Sequence, residues 1–153
     1  MSSTPTCLIA ENDPFIAALL ERFAEASGLQ PFHVGIGQDV VEMARRTGPA
    51  VIILDLELPG KIRGWEVGTV LSTDSGLCRI PIILCAWPEA GETAASLRGA
   101  AGYLQKPDLH YDDFVAALRE AGLDAVEPAA AMMTTEEMLA VKRLQHTDQE
   151  EEA

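Results

Sequence analysis

Asp55 closes the run Val51-Ile52-Ile53-Leu54; Glu11, Asn12 and Asp13 follow Cys7-Leu8-Ile9-Ala10; Lys106 stands just beyond Gly102-Tyr103-Leu104. A single carboxylate after an apolar run can simply solvate a strand end or cap a turn. Carboxylates gathered from two such ends make an oxygen-lined site suited to Mg²⁺, a hard cation that keeps several waters and also takes a phosphoryl oxygen. Beside that metal Asp55 can act as a carboxylate nucleophile and accept a phosphoryl group as an acyl phosphate. Lys106, a point charge on a flexible stem, can pair with the new dianion.

That chemistry requires the three segments to meet, so the elements between them matter. Val51 to Leu54 are all aliphatic, and Pro59-Gly60 ends any regular element soon afterwards, as for a strand buried on both faces. Asp13-Pro14 opens a helix with an N-cap side chain and a proline at the first helical position. Ile16, Leu19, Leu20 and Phe23 share one face of it, and Gly28 ends it. Leu29 to Gly35 reads as a weaker strand. Asp39 is expected to cap a helix carrying Val40, Met43 and Ala44, which Gly48-Pro49 stops. After the loop holding Pro59, Gly60 and Gly64, a helix with Trp65, Val67, Val70 and Leu71 runs to Ser75-Gly76. Ile80 to Ala86 is another buried strand, and proline is tolerated near its start. A weakly amphipathic helix is expected over 89–98, a fifth strand over Gly102-Tyr103-Leu104, and a fifth helix over Asp108 to Gly122 with Phe114, Ala117, Leu118 and Ala121 on one face.

Strands alternating with helices specify an α/β fold: a doubly wound, five-stranded parallel sheet with right-handed crossovers and helices on both faces. Open sheets of this kind present reactive groups beyond the carboxyl ends of the strands. Glu11, Asn12, Asp13, Asp55, the Cys85-Ala86 end and Lys106 therefore belong on one rim.

The bulk composition narrows the class. A chain of 153 residues holds one domain and a tail. A mean hydropathy of +0.09 and the lack of a long apolar run argue against a membrane span. The N-terminus has neither the basic nor the apolar region of a signal peptide, so a cytoplasmic location is the default. Cys7, Cys78 and Cys85 lack metal-ligand spacing and read as small buried hydrophobes in a reducing compartment. A net charge of −13 argues against a nucleic-acid surface and for a protein partner.

Four segments resemble the response-regulator receiver family: Leu8-Ile9-Ala10-Glu11-Asn12-Asp13-Pro14, Ile53 to Pro59, Pro81-Ile82-Ile83-Leu84, and Gly99 to Pro107. The resemblance implies a CheY-like, flavodoxin-like sheet of strand order 2-1-3-4-5. It implies phosphorylation of Asp55 by a histidine kinase or histidine phosphotransfer protein, and Mg²⁺ held by Glu11, Asn12, Asp55 and the backbone carbonyl of Glu57. It further implies phosphoryl binding by Lys106, a Lys106-Pro107 cis peptide bond, and a switch pair of Tyr103 with Ala86, or with Cys85 if the alignment slips by one. The receiver domain would span 6–122, after an N-terminal extension of 1–5. A tail follows over 123–153, with a short helix near 134–144, where Thr134 and Glu137 form a capping-box pattern, and an acidic end expected to be disordered.

The sequence departs from the family pattern in four places. Asn12 replaces an acidic residue, so Mg²⁺ should bind more weakly; Asp13 is adjacent, but its better reading is the N-cap. Neither Ala86 nor Cys85 is a hydroxyl donor of the usual kind. The Pro59 to Gly64 loop is one residue longer than usual and carries Lys61 and Arg63. Trp87 stands where a small residue is common.

The expected protein is a single-domain response regulator of a two-component or phosphorelay system. It would signal to an output protein of unknown identity through the face made by residues 89–98, the fifth strand and the fifth helix, with homodimerisation left open. The main rival is a binding module of this fold that works without phosphorylation, favoured by Asn12 and Ala86. A remote rival is a phosphohydrolase with an Asp55 nucleophile. Such enzymes want an aspartate as general acid where this chain has Glu57, so no separate substrate turnover is expected.

Overall fold

The computed structural model describes residues 4–90, 99–124 and 143. The elements follow the expected alternation: β1 (Thr6–Ala10), α1 (Pro14–Ala26), β2 (Gln30–Val34), α2 (Gly37–Thr47), β3 (Val51–Asp55), α3 (Gly64–Thr73), β4 (Ile82–Ala86), β5 (Gly102–Gln105) and α4 (Tyr111–Glu120). A short 3₁₀ turn, Pro88–Ala90, follows β4. The helices expected over 89–98 and 134–144 lie outside the described residues, apart from that turn and Arg143.

The strands form one parallel sheet of order β2-β1-β3-β4-β5, the order the resemblance implied. Alternate residues of the inner strands feed two cores. Cys7, Ile9, Val51, Ile53, Ile83 and Cys85 face α1 and α4. Leu8, Ala10, Ile52, Leu54, Leu84 and Ala86 face α2 and α3. Burial on both faces is why β3 and β4 read as unbroken aliphatic runs.

Three local expectations are corrected. Asp39 does not cap α2; it lies in the first turn, and the N-cap is Ile36, which makes no side-chain cap bond. A tertiary bond sets that start: the Gly37 N–H donates to the Pro59 carbonyl at 2.8 Å. A Cβ on Gly37 would stand 1.7 Å from the Ile62 carbonyl oxygen, so only glycine lets α2 approach the β3–α3 loop so closely. Cys78 is exposed in the turn after α3, whereas Cys7 and Cys85 are buried. Element ends also contract: β4 begins at Ile82, α3 ends at Thr73, and α4 occupies only Tyr111–Glu120.

Candidate functional site

The parallel register carries Glu11, Asp55 and Lys106 to the same rim. Ala10 pairs with Leu54, so the residues that follow, Glu11 and Asp55, sit side by side. Asp55 pairs with Cys85, and Ala86 with Gln105, which puts Lys106 one residue beyond β5. The Lys106 N–H donates to the Ala86 carbonyl at 2.8 Å, and the Lys106–Pro107 peptide bond is cis.

At the centre the Lys106 ammonium lies 2.8 Å from Glu11 Oε2 and 3.2 Å from Asp55 Oδ1. All three residues are almost wholly buried, at 1–3 % exposure. Taking charges out of water is costly unless each is paired, and here one cation serves two carboxylates. Glu11 Oε1 accepts from the Asp13 N–H at 3.0 Å, while Oε2 has Lys106 as its ion-pair partner and, among the described residues, no hydrogen bond besides. Asp55 Oδ1 also accepts from the Glu57 N–H at 2.9 Å, which folds the start of the β3–α3 loop back over the carboxylate.

The electrostatics follow from crowding. Burial pushes the Glu11 carboxyl above its ordinary value; Lys106 opposes this through its hydrogen-bonding contact, and the Asp55 charge adds to it. Burial alone would lower the Lys106 ammonium, but contact with Glu11 and the charges of Asp55 and Glu11 outweigh it and the value rises. Lys106 is therefore a fixed cation at neutral pH, placed where negative charge accumulates.

The other predicted residues stand at varied distances from this cluster. Asn12 is exposed at the mouth. Asp13 caps α1, accepting from the N–H groups of Phe15 at 2.8 Å and Ile16 at 3.3 Å, so its side chain is engaged away from the cluster. Glu57 points its side chain to solvent. Ala86 ends β4 in the core facing α2 and α3, presenting a methyl group and no hydroxyl. Cys85 lies across from Asp55, and burial drives its thiol far above the ordinary range, with Lys106 pulling it down and Glu11 and Asp55 pushing it further up. Tyr103 is 40 % exposed on β5, its phenol 3.5 Å from the Ala86 carbonyl oxygen.

The donor set fits Mg²⁺. Among the described residues no group of three or more His, Cys, Asp and Glu could hold a metal. The site offers the two carboxylates of Glu11 and Asp55, with the Asn12 amide directly after Glu11 and the Glu57 carbonyl shortly after Asp55 as the neutral oxygens, the complement of an ion that keeps waters and takes a phosphoryl oxygen. A cleft of about 580 Å³ opens beside it, lined among others by Glu57, Pro59, Arg63, Trp65 and Glu89.

Two contributors were not legible as site residues. Gly64 starts α3 directly beneath Asp55, and a Cβ there would stand 2.0 Å from the Asp55 carbonyl oxygen. Its sequence signal, a glycine between loop and helix, marks a turn but not that contact. His33, on β2, reaches over to the Glu11 carbonyl oxygen at 2.7 Å; its place in the weak strand expected from Leu29 to Gly35 gave no sign of that contact.

Comparison with known proteins agrees with this geometry. The response regulator receiver domain family matches residues 7–119. The chain is 32 % identical over 102 residues to the DNA-binding response regulator MtrA of Mycolicibacterium smegmatis, covering 65 % of this chain but only 43 % of that protein. It is 29 % identical over 106 residues to the polar-differentiation response regulator DivK of Brucella ovis, covering 68 % of this chain and 85 % of that one. Among solved structures, a sensor protein from Polaromonas superposes with a TM-score of 0.68 at 25 % identity, over 82 % of this chain and 98 % of that one. The receiver domain of a Pseudomonas aeruginosa sensor histidine kinase, which has a magnesium ion coordinated in its active-site cleft, shares the fold at a TM-score of 0.70 and 22 % identity, over 78 % of this chain and 99 % of that one.

Proposed function

The chain belongs to the response regulator receiver domain family of two-component signalling, and from that premise we propose that it accepts a phosphoryl group on Asp55 from a histidine kinase or histidine phosphotransfer protein. The observation that carries the reading is the buried Lys106 ammonium shared between Glu11 and Asp55. Such a cation meets the charge that a phosphoryl group brings, in a setting where water screens it little.

An Asp55 carboxylate oxygen forms the new bond to phosphorus while the phosphohistidine P–N bond breaks, its electron pair staying on the imidazole nitrogen. Lys106, already fixed by its backbone bond to Ala86, pairs with the phosphoryl oxygens. The Glu57 N–H holds the Asp55 carboxylate in one orientation. Glu11, Asn12, Asp55 and the Glu57 carbonyl would hold Mg²⁺, which neutralises charge on the phosphoryl group when bound. The modified site then shifts the population of conformations on the face made by β5 and α4, and an output protein reads that face.

The test is intact-protein mass after incubation with Mg²⁺ and acetyl phosphate, beside Asp55→Asn. The expected result is one Mg²⁺-dependent phosphoryl adduct on the wild type and none on the variant. A second reading, a binding module independent of phosphorylation, is favoured by the methyl group of Ala86 at the end of β4 and by exposed, uncharged Asn12. Absence of the adduct with both acetyl phosphate and a phosphorylated histidine phosphotransfer domain would decide for it.

A further inference from the structure

We propose that His33 is a positioning residue that holds the acidic turn in register with Asp55. The inference rests on the phosphoacceptor reading above and adds to it a residue from outside the rim cluster. β2 is an edge strand, and His33 lies on it exposed to solvent. Its Nε2 nevertheless stands 2.7 Å from the Glu11 carbonyl oxygen. A carbonyl only accepts, so Nε2 carries the proton and donates.

The bond falls where the strand ladder runs out. The last ladder pair of β1 and β2 is Ala10 with Val34, and the Glu11 N–H still donates to the Val34 carbonyl at 3.1 Å. Beyond that point the turn has no further ladder pair among the described residues, and the imidazole supplies the next bond. Glu11 is thus gripped at four points: N–H by Val34, carbonyl by His33, Oε1 by the Asp13 N–H, and Oε2 by the Lys106 ammonium. Two of these fix the backbone and two fix the carboxylate. Without the imidazole, the peptide plane between Glu11 and Asn12 is free to rotate. That rotation would move Asn12 and disturb the Asp13 N–H that orients Oε1. A bond made by an exposed side chain on an edge strand contributes little to the core, so its effect falls on the site rather than on folding.

The experiment compares wild type, His33→Ala and His33→Gln, the last because a glutamine amide places an N–H about where Nε2 stands. Mg²⁺ is titrated by the fluorescence of Trp65 and Trp87, and the hydrogen exchange of the Asp13 amide is followed in metal-free protein. His33→Ala is expected to weaken Mg²⁺ binding about three- to tenfold and to speed Asp13 exchange by a similar factor, the loss of one hydrogen bond. His33→Gln should recover most of both, with little change in the thermal midpoint of either variant. Unchanged Mg²⁺ affinity in His33→Ala overturns the proposal, as does a loss that His33→Gln fails to recover, which would assign the effect to packing. A wild type that binds no Mg²⁺ would instead strike at the functional reading, while the Asp13 amide would still decide whether His33 holds the turn.

Discussion

The two sides of the rim are built on different principles. On one side the ends of β1 and β3 and the residue beyond β5 interlock: Glu11, Asp55 and Lys106 are buried, charged and in mutual contact. On the other, the end of β4 and the outer strand β5 offer a methyl group, a buried thiol and one 3.5 Å contact from a 40 % exposed tyrosine. A protein that binds a charge and reports it elsewhere needs both a receptor and a lever. Here buried charges tie the receptor side together, whereas on the lever side the Tyr103 phenol adds only a marginal contact to the backbone bond from Lys106 to Ala86. If phosphorylation occurs, the charged side governs whether the group binds, and the β4–β5 side governs how far its arrival is felt.

The sharpest way to break the comparison is Lys106→Met, which keeps the apolar stem and removes the cation. Removing one partner of a buried ion pair typically costs about 3–5 kcal/mol, because uncompensated charge remains. The cost should depend on pH. Glu11 would keep the burial and the Asp55 charge that raise its carboxyl, and lose the cation that opposes them. A carboxyl raised in the folded state favours folding fully below its ordinary value of 4.5, and that contribution is lost as pH rises through the raised folded value. Urea midpoints of the variant should therefore fall more steeply than those of the wild type as pH rises from about 4.5 through the raised folded value. Parallel midpoints would mean that Lys106 does not restrain Glu11, and the receptor side would be less tightly coupled than its geometry indicates.

The same division explains what the sequence disclosed. Glu11, Asp55 and Lys106 were legible because each follows an apolar run, and strand ends in a parallel sheet converge on one rim whatever the details of packing. The parallel sheet with helices on both faces followed from the same runs, and its strand order from the family resemblance. Features set by contacts between distant segments were not legible. Asp39 has the chemistry of an N-cap, yet the bond from Gly37 to Pro59 starts α2 earlier and leaves Asp39 inside the first turn, where its charge still suits the helix dipole. Gly64 looks like any turn glycine until Asp55 is seen resting on it. His33 looks like any residue of a weak strand until the acidic turn is placed beside β2. Cys78 has no flanking apolar run, and the turn exposes it.

The weaker side is sharpened by adding what it lacks. Ala86→Thr puts a hydroxyl at the end of β4 at the expense of crowding a fully buried position. Overpacking of this kind typically costs about 1–3 kcal/mol, and a single added methyl and hydroxyl at a strand end falls toward the lower figure. The fluorescence of half-buried Trp87, the next residue, should change more on treatment with Mg²⁺ and acetyl phosphate than in the wild type, because a hydroxyl can follow a phosphoryl oxygen and a methyl cannot. An identical response in both proteins would show that the β4 end carries no signal in this chain.

The smallest effect is expected at Tyr103. Its phenol reaches the Ala86 carbonyl at 3.5 Å, at the edge of hydrogen-bonding range, and that carbonyl already accepts the Lys106 N–H at 2.8 Å. Replacing the hydroxyl by hydrogen in Tyr103→Phe leaves no buried acceptor unsatisfied, so stability should change by less than about 0.5 kcal/mol. Adduct formation on Asp55 should be equally indifferent, because the phenol's contact runs to the Ala86 carbonyl and not to the charged groups of Glu11, Asp55 or Lys106. The contrast with Lys106→Met is the useful quantity: two substitutions three residues apart on either side of the β5 end, one removing a shared buried charge and the other a marginal bond. If Tyr103→Phe slowed adduct formation severalfold, the route would have to run through the Ala86 carbonyl to the Lys106 backbone, and the two sides of the rim would form one coupled unit.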